Sequence, residues 1–183
     1  MTLEEFTAKL NTSMFWKEFT FSQTRFSPRP KHQVELADGI VRIGTLAYVL
    51  QLKERSEETD DPQIERQWFR RKVLGTATRQ IRDSVTYLSE QKAIQLTNEQ
   101  GHTIDVGGSD LSEIKKIIIF QGGKALPKDC WATQFYISKT VGFIHILATH
   151  DYQGILNYLQ VPEDIRRYFE YRESVLPRLR QIG

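Results

Sequence analysis

The residues of this chain whose types and spacing suit chemistry are Asp38, Gln51 and Lys53, in the stretch VELADGIVRIGTLAYVLQLKER that runs from Val34 to Arg55. Asp38 precedes Gln51-Leu52-Lys53 by the length of a short hairpin. If the two segments are adjacent strands, the two-residue period puts Gln51 and Lys53 on one face and Leu50 and Leu52 on the other. Asp38, Gln51 and Lys53 can then converge on one point, with the Leu52 carbonyl beside them. Together they make the skeleton of a metal-dependent phosphodiesterase site.

Such a site needs strands to hold it. Leu46 to Leu52, LAYVLQL, is almost wholly apolar and β-rich, which predicts a central strand covered on both faces. A Gln and a Lys that end such a strand need a reason, because an uncompensated buried ammonium is costly. Lys53 should therefore face a carboxylate or sit in a cleft that meets a ligand's negative charge. The turn between the two strands falls near Gly44. If Asp38 and Lys53 point to opposite faces of the sheet, this reading fails.

With Asp38 on one strand and Gln51-Leu52-Lys53 on the next, the hairpin resembles that of the PD-(D/E)xK nuclease superfamily, which carries an Asp and then an acidic-x-Lys triplet. ELAD supplies Glu35 and Asp38, and Gln51 stands where the usual pattern has Glu or Asp. The resemblance implies a restriction-endonuclease-like α/β fold, a central mixed β-sheet flanked by helices, with a C-terminal helical extension. It implies Mg²⁺ or Mn²⁺ held by Asp38, Gln51 and the Leu52 carbonyl, with Lys53 orienting the water or stabilising the charged transition state. An amide at position 51 removes one negative charge from the metal site, so metal affinity should fall. The superfamily often carries a Gln or Lys on the helix after the hairpin, which implies Gln80, and a further acid on a first helix, which implies Glu18 as a metal ligand.

Helical spacing agrees with those two elements. Glu65 to Leu88 carries Trp68, Val73, Ala77, Ile81, Val85 and Leu88 near every third or fourth position, and Leu3 to Phe19 has a similar rhythm. The longer helix has a basic side of Arg66, Arg70, Arg71, Lys72, Arg79 and Arg82, suited to gripping a DNA backbone. Phe19 to Phe26 alternates as a first strand, ended by Pro28 and Pro30. Ser56 to Gln63 is an acidic loop beside Lys53, with Pro62 near the start of the helix. Downstream, Ala93–Thr97 and Thr103–Val106 form a hairpin around Asn98 to Gly101. Ile114–Gln121 is a second deeply buried strand, and Phe135–Ser138 and Gly142–Leu147 add to the sheet. Asp151–Leu159 and Pro162–Leu179 are helices.

Composition sets bounds. The chain of 183 residues has 39% hydrophobic and 26% charged residues, a net charge of +2 and one cysteine, Cys130. That excludes an intrachain disulfide, and with neither a signal peptide nor a long apolar span it predicts a soluble cytoplasmic protein with no membrane partner. His102, His145, His150 and Cys130 lack close metal-ligand spacing, and no phosphate-binding glycine loop is present. Isolated tryptophans in a globule, here Trp16, Trp68 and Trp131, read as core residues. Residues 1–150 read as the nuclease-like domain. Residues 151–183 read as a helical segment packed on it or leading into further sequence of the same protein.

Three functions remain compatible with these residues. One is a Mg²⁺-dependent DNA endonuclease or exonuclease. Another is a nucleic-acid-binding domain that keeps the scaffold without catalysis. The third is a structural or homo-oligomerising module of a larger protein. Fold alone does not choose among them.

Overall fold

Nine residues, Leu46–Glu54, form the strand from which the molecule is best described, because the candidate site lies at its C-terminal end. The computed structural model describes residues 1–22, 24–29, 31–57, 59–107 and 111–182, so Pro30 falls outside the described residues. In chain order the elements are α1 (Leu3–Phe19), β1 (Thr20–Phe21), β2 (Arg25–Arg29), β3 (His32–Glu35), β4 (Gly39–Ile43) and β5 (Leu46–Glu54). A long helix follows as α2 (Pro62–Trp68), a π-helical stretch (Phe69–Ala77) and α3 (Thr78–Glu90). Then come β6 (Gln95–Thr97), β7 (Thr103–Asp105), β8 (Glu113–Gln121), α4 (Lys128–Trp131), β9 (Phe135–Ser138), β10 (Gly142–Ala148), α5 (Thr149–Leu159) and α6 (Pro162–Ile182).

The main sheet has six strands in the order β1-β4-β5-β8-β10-β9. It is mixed: β5, β8 and β10 run parallel at its centre, and β1, β4 and β9 are antiparallel to their neighbours. Helices cover both faces. On one, Val49, Ile118, Phe120, Ile144 and Ile146 pack under Phe69, Val73, Ala77, Ile81 and Leu88 of the long helix. On the other, Tyr48, Leu50, Leu52, Ile117 and Ile119 meet Leu3 and Phe15 of α1, Tyr152 and Leu156 of α5, and Ile165 and Phe169 of α6. Cover on both faces is why LAYVLQL and IKKIIIFQ are near-continuous apolar runs. The two C-terminal helices are part of this second layer, and Tyr152 donates to Asn11 of α1. Among the described residues no helix is long and apolar enough to cross a membrane.

Several elements start where local chemistry directs. Thr2 and Glu5 form a capping box at the start of α1, and Asp61 caps α2 with Pro62 in its first turn. Gly44 turns β4 into β5 at φ +60°, a conformation that costs glycine nothing. Asn98 accepts from the backbone N–H groups of Gln100 and His102 and closes the β6–β7 hairpin.

Two expectations need correction. Phe19 to Phe26 is not one strand: α1 runs to Phe19, Thr20–Phe21 joins the main sheet, and Arg25–Arg29 pairs with β3 in a separate hairpin. Pro28 lies within that second strand, tolerated by a register shift between Phe26 and Arg29. Trp16 is not a core residue. It is 67% exposed at φ 63°, ψ 158°, where it kinks the end of α1.

Candidate active site

The antiparallel register that pairs Gly39 with Leu50 sets Asp38 beside Gln51, one residue before β4 begins. Its backbone is held from three sides. The Asp38 N–H donates to the Leu50 carbonyl at 3.1 Å. Buried Thr24 donates its hydroxyl to the Ala37 carbonyl and accepts from the Ala37 N–H, and the Thr24 carbonyl accepts from the Leu36 N–H. From the other side, Ser84 of α3 donates its hydroxyl to the Leu36 carbonyl. Positions 36–38 are thus fixed between a hairpin and the long helix, and the Asp38 carboxylate inherits that rigidity.

The side chains converge. The Lys53 ammonium lies 3.5 Å from Asp38 Oδ2, and both side chains are mostly buried. Asp38 Oδ2 also accepts from the Leu52 N–H at 2.6 Å. Lys53 Nζ donates to the Leu52 carbonyl at 2.7 Å, so a cation taking that oxygen as a ligand would share it with the ammonium. Gln51 is 2% exposed, and its amide oxygen is buried with no hydrogen-bond partner. Val49 faces the long helix while Leu50 and Leu52 face α1, so the alternation along β5 carries Gln51 and Lys53 to the long-helix side.

Glu35 and Glu4 were not among the expected site residues, and both belong near it. Burial pushes the Glu35 carboxyl above its ordinary range, and the negative charges of Asp38 and Glu4 push it further, against Arg25 and Lys53. Glu4 and Glu5 in the first turn of α1 line, with Lys9, Thr12 and Asp38, a groove of about 580 Å³. Glu18 does not join them. It is exposed on the last turn of α1, beyond the kink at Trp16, and is not part of the groove lining. The acids of the first helix that border Asp38 are at its opposite end. No spacing rule in the sequence distinguishes Glu4 from Glu18; only the docking of α1 through Leu3 and Phe15 does.

Gln80 lies one turn before Ser84 on α3, and Ser84 accordingly donates to the Gln80 carbonyl as well as to Leu36. The Gln80 side-chain oxygen is buried without a partner, and no hydrogen bond joins it to Asp38, Gln51 or Lys53. The basic side of the long helix is partly spent internally: Arg66 is paired bidentately with Asp129, and Arg82 with Asp83. Arg70, Arg71, Lys72 and Arg79 are exposed. Just past the same C-terminal end of β5, Arg55 pairs with the buried Glu65 at 2.8 Å, which ties the acidic loop's exit to the sheet.

Among the described residues no group of three or more His, Cys, Asp or Glu side chains stands close enough to hold a metal ion. The oxygen set here is of another kind: one carboxylate, one amide and one main-chain carbonyl. A buried amide oxygen without a partner, on the residue opposite Asp38 in the strand register, is a donor of the kind that a hard divalent cation takes. Mg²⁺ commonly takes only one or two protein carboxylates and keeps water or substrate phosphate for the rest.

No family model matches the chain, no curated protein is similar to it, and no solved structure matches its fold.

Proposed function

We propose that the chain is a metal-dependent nuclease of the PD-(D/E)xK type with a restriction-endonuclease-like fold, hydrolysing phosphodiester bonds in DNA. The observation that carries the reading is the Asp38–Lys53 ion pair together with the unpartnered, buried oxygen of Gln51, the residue that the β4–β5 register sets opposite Asp38. A buried acceptor left without a partner is costly and calls for an explanation, and a cation ligand is one.

Asp38, Gln51 and the Leu52 carbonyl would hold Mg²⁺ or Mn²⁺, which would supply Lewis-acid polarisation of the phosphate and a more acidic water. Lys53 would place a positive charge, held by Asp38, where the phosphorus oxygens gain negative charge. Asp38 orients that ammonium and is itself oriented by the Leu52 N–H. Glu35, whose carboxyl is raised by burial and by the charges of Asp38 and Glu4, adds a further acid near the pair. The exposed Arg70, Arg71, Lys72 and Arg79 would contact the backbone of the duplex.

The test is cleavage of plasmid and linear DNA in Mg²⁺ or Mn²⁺. Asp38→Ala and Lys53→Ala should each lower the rate by at least about a hundredfold. Wild-type protein that leaves DNA intact in both metals overturns the catalytic reading. The loss of a carboxylate at position 51 favours a second reading, a nucleic-acid-binding domain without catalysis. Salt-dependent binding that persists in Gln51→Glu without cleavage would establish it.

A further inference from the structure

Away from that site, between α5, α6, β10 and the turn after α4, lies a pocket of about 230 Å³ lined by Trp131, Thr133, Gln134, Asp151, Tyr168 and Arg172. Arg172 is the unusual member. It is 8% exposed, its Nη1 donates to the Tyr168 hydroxyl at 3.2 Å, and its Nη2 donates to the Gln134 carbonyl at 2.8 Å. The guanidinium also stacks over the Tyr168 ring at 5.6 Å. Its Nε is buried without a partner.

No carboxylate among the described residues lies within ion-pair distance of Arg172. The adjacent Glu173 is engaged elsewhere, accepting from Lys115 Nζ at 2.8 Å and meeting His145 Nε2 at 3.2 Å. A guanidinium cannot shed its charge, and arginine is almost never this deeply buried unless paired. Its five N–H groups are only partly used by the two bonds it makes. The fold has therefore built a cationic fork into a small polar pocket and left its counter-charge to come from outside.

We propose that this pocket binds a phosphate group that keeps at least one hydroxyl, with Arg172 as its charge partner. The volume suits such an anion and is below that of a pocket for a large ligand. The Tyr168 hydroxyl accepts from Arg172 and keeps its own proton to donate to an anion oxygen. Asp151 lines the same pocket and would repel a bare oxyanion. It accepts a hydrogen bond from a P–OH group instead, which phosphate retains at neutral pH and sulfate does not. Arg172 thus supplies the affinity, and Asp151 selects phosphate over sulfate. Asp151 also lies 3.3 Å from His150 Nε2 and is half-exposed, so it is held loosely enough to accommodate the ligand.

Thermal unfolding of the full chain, in potassium phosphate, sulfate or chloride at equal ionic strength, tests this without reference to nuclease activity. Phosphate should raise Tm along a saturating curve, with sulfate following chloride. Arg172→Met should need about tenfold or more phosphate for the same shift. Asp151→Asn, at a half-exposed side chain that the fold tolerates, should let sulfate act like phosphate. Adding a nucleoside 5′-monophosphate, which at neutral pH is mostly a dianion without P–OH, separates the sources: a shift from inorganic phosphate alone assigns the pocket to the free anion, and an equal shift from the monoester overturns the hydroxyl requirement. Equal shifts from phosphate and chloride in the wild type overturn the proposal. So does an unchanged phosphate response in Arg172→Met, or a phosphate preference that survives Asp151→Asn.

Discussion

Replacing Gln51 by Leu should make the protein more stable and, on the proposed function, inactive. The side chain is 2% exposed and its oxygen has no partner, so the folded state carries the desolvation of an amide acceptor without a compensating bond. That penalty is about 1–3 kcal/mol, and leucine of similar volume removes it while adding apolar surface on the face that already holds Val49. For a chain of this size the gain corresponds to a Tm rise of roughly 2–12 °C. Gln51→Glu should do the opposite, since a second carboxylate buried beside Asp38 costs about 3–5 kcal/mol when uncompensated. Mg²⁺ should restore much of that loss by binding the folded form alone. Urea unfolding of the three proteins in EDTA and in Mg²⁺ measures both effects. If Gln51→Leu is less stable than wild type by more than about 1 kcal/mol, the amide oxygen has a partner and the metal argument loses its premise. If Gln51→Glu is unaffected by chelation, the site does not bind the cation.

Two further outcomes follow from other groups. His145 is fully buried between Phe143 and Phe169, and burial outweighs its contact with Glu173, bringing its pKa down to about 4. The folded state thus refuses a proton that the unfolded chain accepts below about 6.5, so stability is present above that pH and is lost as pH falls towards 4. The gap is worth about 3 kcal/mol. Urea midpoints taken from pH 7 to pH 4 should fall less steeply in His145→Phe, and parallel slopes would refute the assignment. At the groove, Glu4→Gln should raise the Mg²⁺ concentration for half-maximal cleavage several-fold, while Glu18→Gln leaves it unchanged; the reverse order would return the first helix's acid to position 18.

What could be read from the residues was whatever depends on period and on turn chemistry. The alternation Gln51-Leu52-Lys53, the apolar run before it and Gly44 are enough to set the hairpin, because a one-residue slip would bury Lys53 against α1 and expose Leu52. Asn98 and Gly101 marked the second hairpin in the same way. The π-helical stretch was invisible to that reasoning. Phe69, Val73, Ala77 and Ile81 are all buried at steps of four, and each such step overshoots an ideal α-helical turn by about 40°. The wider turns of residues 69–77 keep that row on the sheet, but the pattern alone passes for an ordinary amphipathic helix. Contacts that join distant elements leave no local signature at all. Thr24 beneath Ala37, Glu4 near Glu35 and the unpaired Arg172 each depend on how one layer is laid on another.

The charge arrangement around Asp38 explains how a site with an amide at position 51 can be stable before any ligand arrives. Asp38 and Lys53 are opposite charges at 3.5 Å, and Gln51 adds none, so the innermost shell is close to neutral. Glu35 and Glu4 stand further out, and the Glu35 carboxyl is raised first by burial and then by the negative charges of Asp38 and Glu4. A carboxylate at position 51 would hold a cation more tightly and would leave the empty site burdened with two buried anions and one ammonium. With Gln51 the order of events changes. On the proposed function, the protein's own oxygens would bind a divalent ion weakly, and a substrate phosphate would supply the missing negative charge. Metal affinity should therefore rise in the presence of DNA by the same factor by which metal raises DNA affinity, a reciprocity that binding titrations in Ca²⁺ can measure without turnover. Independent binding of the two would separate Gln51 from the cation and leave its unpartnered oxygen without a function.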